Sequence, residues 1–203
     1  YSNVPIENVY PCHDIESTYT LPLLLVEQKL PETLFKQLKL KHHSLSIQEN
    51  IMEWTKAAQV NSSTYSQSIT IGMAGKYTKL QDSYASILKA FEHCSAALQT
   101  TIHVKWIETS KMEENPELLQ ESFQGINALI VPGGFGNRGT EGMIQCIQFA
   151  RQNRIPFLGI CFGMQLAVIE FARNVCQLEQ ANSTELDKSC TQDVIKILTE
   201  QEE

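Results

Sequence analysis

Residues 155–174 read IPFLGICFGMQLAVIEFARN, and no other stretch of the chain narrows the choice of fold so far. A short apolar run suited to a buried strand meets the turn Gly159-Ile160-Cys161-Phe162-Gly163 and then a helical pattern that begins close to Met164. Glycines on either side of Cys161 let the backbone bend tightly enough to hold one side chain strained and exposed above a sheet, as a nucleophile elbow does. The N-terminus of the following helix adds partial positive charge and free N–H groups, which would stabilise a thiolate and the oxyanion formed when it attacks a carbonyl. The competing reading is a buried, inert cysteine at a strand end, because unpaired cysteine is among the most buried residue types.

The residues before the elbow alternate between strand and helix patterns. A strand over 68–73 is followed by the turn GKYTKLQDS and a helix over 84–98 with apolar positions at Ile87, Leu88, Phe91, Ala96 and Leu98. A second strand over 102–107, a variable loop and a short helix around 117–123 lead to a third strand over 128–131, which ends in Pro132-Gly133-Gly134-Phe135-Gly136. A helix over 141–153 then precedes the elbow strand. This order predicts an α/β fold, a doubly wound parallel sheet whose ligands sit at the carboxyl ends of its strands. Both glycine-rich turns fall at that edge. The PGGFG turn alone reads more readily as a tight bend needing positive φ than as a site. Beside the cysteine elbow, however, backbone N–H groups of Gly134 and Phe162 would converge on the oxygen of a tetrahedral intermediate. The chemistry this suggests is thioester formation from an amide. Gly75-Lys76 is followed by Tyr77 and lacks the upstream glycine spacing of a phosphate-binding loop.

Residues 1–40 hold a short extended piece at 8–10, a polar turn at Cys12-His13-Asp14, and two helices opened by Pro22 and Pro31, the second running to about Leu38. They are too few to close a core and read as the end of a domain that begins upstream. Residues 41–67 are polar and serine-rich, with one amphipathic helix over 48–59 that places Ile51, Trp54 and Ala58 on one face, as in an interdomain linker. The remaining residues, 68–203, form the α/β domain. With 42% hydrophobic and 19% charged residues, the composition is that of a soluble globular protein. A net charge of -7 argues against affinity for a nucleic acid polymer or an anionic membrane, and the apolar run over 21–26 is too short to span a bilayer. Six cysteines without CxxC pairing fit reduced thiols in a cytoplasmic protein. No metal site is expected.

The segments GKYTKLQDSYASILKAFEH, LIVPGGFGNRGTEGMI, IPFLGICFGMQLAVIEFARN and ANSTE resemble the glutamine amidotransferase portion of the CTP synthase family, and VPIENVYPCHDIESTYTLPLLL resembles the end of its synthetase domain. The likeness extends to about Asp187. It implies a class I glutamine amidotransferase sheet, incomplete at its C-terminal end, in which Cys161 takes the acyl group of L-glutamine and releases ammonia. Gly134, Phe162, Gly163, Met164 and Gln165 would bind the glutamine, with Gln165 and Glu185 holding its amino-acid end; a carboxylate suits the substrate's ammonium group. His13, Asp14 and Ile15 match a loop that contacts ATP, and Lys76 and Arg138 lie in loops the family places near the domain passage and the GTP effector region. The resemblance further implies ATP with Mg²⁺ and UTP as substrates of the complete enzyme, GTP as allosteric effector, no bound cofactor in this chain, and assembly into tetramers and filaments.

Two departures bear on activity. Phe162 replaces the leucine usual after the cysteine, which enlarges the side chain expected beside the glutamine pocket. The family's catalytic histidine and glutamate come from a downstream His-Pro-Glu motif, whereas this chain has no histidine after His103, and an arginine expected to bind the substrate carboxylate is also missing. The reading is therefore a truncated piece of a CTP-forming enzyme; the alternative is a catalytically dead binding or assembly module.

Overall fold

The computed structural model describes residues 3–15, 17–41, 51–52, 54–55, 65–76, 81–115 and 117–197. The chain divides into two compact units, Tyr1–Ser66 with Ala90–Thr100, and Gln67–Lys89 with Thr101–Glu203.

In the first unit, helices α1 (Leu21–Glu27) and α2 (Leu30–Gln37) each carry proline in the first turn, where its missing N–H costs nothing. Lys29 separates them in the left-handed conformation, φ 63°. Of the extended piece expected at 8–10, Asn8 instead ends a single 3-10 turn over Ile6–Asn8, and Val9 after it is extended. Of the helix expected over 48–59, Ile51, Met52, Trp54 and Thr55 are helical, and the rest, Ala58 included, lies outside the described residues. Tyr19 is buried, with the His93 ring edge-on at 5.6 Å and the Trp54 ring at 6.1 Å.

The second unit is built on a four-stranded sheet of order β2-β1-β3-β4. Its strands are β1 (Gln67–Gly75), β2 (Thr100–Glu108), β3 (Ala128–Val131) and β4 (Phe157–Gly159). β1 pairs parallel with β3, Met73 opposite Ile130, and β3 pairs parallel with β4, Val131 opposite Gly159. Parallel neighbours need crossovers, and helices supply them: α3 (Ala85–Leu98) between β1 and β2, α6 (Thr140–Gln152) between β3 and β4. Along α3, Ile87, Leu88, Phe91 and Ala96 are half-buried, whereas Leu98 is exposed at the helix end. The loop expected after β2 is instead a helix, α4 (Thr109–Glu114), followed by α5 (Leu118–Ser122). Helix α7 (Phe162–Asn174) starts at the residue after Cys161, two positions earlier than expected.

The core lies between the sheet and α4, α6 and α7. Leu129 and Val131 of β3 pack with Met112, Met143, Ile147, Phe162, Leu166 and Ile169. α6 and α7 are tied by Arg151, whose guanidinium donates to both carboxylate oxygens of buried Glu170 at 2.7–3.1 Å. The opposite face of α7 is open: Met164, Val168, Phe171 and Val175 are exposed, as are Phe157 and Leu158 on β4. The run VIKIL contributes β6 (Gln192–Ile195), which pairs parallel with β5 (Ala181–Ser183) in a separate two-stranded sheet.

Candidate active site

The sheet's connections reverse direction between β1 and β3. β1 is followed by β2 on one side, and the chain then crosses to β3 and β4 on the other, which makes the carboxyl end of β1 and β3 the topological switch point where α/β sheets open a crevice. Three loops meet there: Lys76 after β1, Pro132-Gly133-Gly134-Phe135-Gly136 after β3, and the cysteine elbow after β4.

At the elbow, Cys161 has φ 51° and ψ -105°, a region that residues with a side chain rarely occupy. The bend is over-determined by its neighbours. Ile160 N–H donates to Val131 O at 2.9 Å, Gly163 N–H to Ile160 O at 2.9 Å, and Gln165 N–H to Cys161 O at 3.1 Å. The flanking glycines are steric requirements: a Cβ on Gly159 would lie 2.7 Å from Gly163 backbone, and one on Gly163 only 2.0 Å from Val131 O. The helix N-terminus is thereby pressed onto the last residue of β3. Cys161 itself is exposed. Cys146 shows the alternative fate: it is enclosed in the core, and burial pushes its thiol up to about 12.

The PGGFG turn stands directly against the elbow. A Cβ on Gly133 would come 3.5 Å from the Cβ of Cys161, while the same position on Gly134 faces open space. The N–H of Phe162, first residue of α7, has no carbonyl one turn back to bond. The ring of Phe162, the residue larger than the expected leucine, is 2% exposed and packed in the core with Leu166. Gly163 is buried, Gln165 half-buried and Met164 exposed. Glu185 is exposed in a turn wound around Ser183, where Glu185 N–H donates to Ser183 Oγ at 3.2 Å. That turn is stitched to the loop after PGGFG by Asn137, which donates to Leu186 O at 2.9 Å.

Lys76 links these parts. The residue is 8% exposed, and its ammonium donates to the carbonyls of Phe135 and Gly136 and stands 5.9 Å from the centre of the Phe162 ring. Burial lowers its proton affinity, as does nearby Arg138, against a smaller opposing pull from Glu185. The side chain of Arg138 itself donates to Ser110 Oγ at 3.3 Å. Lys76 stood out in the sequence through the family resemblance alone; its carbonyl partners leave no mark on the residue pattern.

His13, Asp14 and Ile15 belong to the first unit, the first two exposed and Ile15 half-buried. A cavity of about 280 Å³ beside β2 is lined by Trp106, Met112, Leu118 and their neighbours and includes none of the elbow residues. Among the described residues, no cluster of three His, Cys, Asp or Glu side chains is placed to hold a metal ion, and no helix is long and apolar enough to cross a membrane.

The model of the family "Glutamine amidotransferase class-I" matches residues 79–201. The chain belongs to this family. Among curated proteins, this amidotransferase chain is 44% identical over 202 residues to the CTP synthase of Pyrobaculum calidifontis, covering all of this chain and 37% of that protein. It is 42% identical over 201 residues to the CTP synthase of Pyrococcus furiosus, covering 99% of this chain and 36% of that protein. The chain thus spans somewhat over a third of the length of these relatives. The solved glutaminase domain of Trypanosoma brucei CTPS with bound acivicin superposes with a TM-score of 0.62 at 39% identity, over 66% of this chain and 52% of that one. The α/β parallel sheet of the amidotransferase is thus the fold of that glutaminase domain.

Proposed function

We propose that this chain carries the glutamine-binding and acyl-accepting part of a CTP synthase. The observation that carries the reading is the strained, exposed Cys161 with the Gly133-Gly134 turn set against it. In the proposed step, the Cys161 thiolate attacks the side-chain carboxamide of L-glutamine. The oxygen of the tetrahedral adduct takes hydrogen bonds from the amides of Gly134 and Phe162, a kind of stabilisation worth roughly 3–4 kcal/mol per donor. Collapse expels ammonia, which takes up a proton as it leaves, and water later releases glutamate from the thioester. Gly163, Met164 and Gln165 line the glutamine, and Glu185 receives its ammonium group.

The proton steps need a base. The described histidines are His13, His93 and His103, and His103 is the one in the second unit. It sits in mid-strand on β2, and three strand spacings separate β2 from β4, about 14 Å. It does not reach Cys161. This favours a second reading for the 203-residue chain taken alone, as a binding or assembly module that forms the pocket without turnover. In the complete enzyme, the ammonia would aminate UTP that ATP has activated, with Mg²⁺ accompanying the ATP, His13, Asp14 and Ile15 in the ATP loop, and GTP acting through the Arg138 region. Tetramers and filaments are the assemblies this reading implies.

Acivicin tests the proposal. The chain should be labelled at Cys161, with the adduct located by peptide mass spectrometry and lost in Cys161→Ala, while glutamine turnover stays negligible. Wild-type chain that reacts with iodoacetamide but ignores acivicin would sink the amidotransferase reading. A glutaminase rate typical of complete amidotransferases would sink the claim that the base is lacking.

A further inference from the structure

We infer that Lys76 is a positioning residue of the glutamine site, clamping the carbonyls of Phe135 and Gly136 so that the Gly133-Gly134 amides stay aimed at the space over Cys161. The inference rests on the amidotransferase reading given above.

The geometry begins at the switch point. β1 and β3 are neighbours, so the residue that leaves β1 emerges beside the turn that leaves β3. Lys76 is that residue, and its side chain turns inward. Its partners are two successive backbone carbonyls, 59 and 60 residues along the chain, and Gly136 O is at 3.1 Å. Gly136 has φ 78°, a conformation that lets both carbonyl oxygens lie on the side of the ammonium, and a Cβ there would come 3.7 Å from Lys76 Nζ. The second carbonyl is shared: Thr140 Oγ1, from the first turn of α6, also donates to Gly136 O at 3.1 Å. The turn is thus held from β1 on one side and from α6 on the other, leaving Gly133-Gly134 as the span between that anchor and β3.

The same ammonium faces the ring of Phe162, the residue whose amide would form the other half of the oxyanion site. One group therefore bonds the PGGFG turn and faces the ring of the residue that opens α7. A lysine that served only to fill space here would be poorly chosen, since burial and Arg138 both work against its charge. A charged donor to carbonyls orients peptide planes, and orientation of N–H groups is what stabilisation of an oxyanion requires.

The test uses the whole chain and two neutral variants, Lys76→Met, which keeps length and flexibility, and Lys76→Gln, which keeps a donor without charge. Second-order rates of Cys161 modification are measured with acivicin and with iodoacetamide, the second reporting thiol access alone. Lys76→Met should lower the acivicin rate by about tenfold or more, the scale set by misplacement of a binding element. Its iodoacetamide rate should stay within about twofold of wild type, because access to the thiol is unchanged. Lys76→Gln should fall between. Wild type labelled by acivicin and Lys76→Met labelled equally fast would overturn the role of Lys76 alone. A parallel change in both rates would assign Lys76 to holding the fold and overturn it too. Wild type deaf to acivicin would overturn the parent reading, and this inference with it.

Discussion

Among the described residues, Cys161 is the one cysteine whose backbone is held at positive φ, and it is exposed. Its backbone angles disfavour any residue with a Cβ, so the position is held by its surroundings rather than by its own preference. An unusual ranking follows. Glycine is ordinarily less stable than alanine by about 0.5–1 kcal/mol within regular structure. At this position Cys161→Gly should exceed Cys161→Ala in unfolding free energy by about 1 kcal/mol or more, read from urea denaturation. The reverse order would mean that the elbow is relaxed. The glycine spacing around Cys161 made this residue legible, because Gly159 and Gly163 stand where any Cβ would strike backbone. The inward turn of the Phe162 side chain has an equally local reason. In the first turn of a helix the Cα–Cβ bond tilts back towards the N-terminus, and here that direction leads into the core rather than out beside the thiol.

Strands and helices were legible where an apolar run was long or ended in glycine. Helix α4 was not: TSKMEE offers one apolar side chain, Met112, and that single anchor is buried in the core. The small sheet left little trace in the sequence: Val194 and Ile195 open a short apolar run, but the partner strand Ala181–Ser183 is a three-residue segment whose pairing carries no periodic signal. Element packing at the site depends on one close crossing, the start of α7 against the end of β3. Gly163→Ala should destabilise the chain by about 3 kcal/mol, because its Cβ would lie 2.0 Å from Val131 O and the backbone on both sides is fixed. Gly134→Ala, facing open space, should change stability by no more than about 0.5 kcal/mol. Thermal or urea melts of the pair check the contrast, and equal losses would refute the crossing as the cause.

Across the whole molecule, the boundary between compact units at Ser66 and Gln67 coincides with the shift from serine-rich to apolar sequence. The grouping of Ala90–Thr100 with the first unit was not legible, since the helical pattern of α3 runs without interruption through Lys89 and Ala90. Amphipathic periodicity shows which residues share a face, and it is silent on which neighbour the face meets. Helix α7 makes that point a second time. Its inward side closes the core, while Met164, Val168, Phe171 and Val175 turn a second apolar side to water. A native chain built this way should light up a hydrophobic fluorophore such as ANS without any denaturant, a response most folded monomers lack. The double variant Val168→Lys/Phe171→Lys should roughly halve that emission while acivicin continues to find its cysteine.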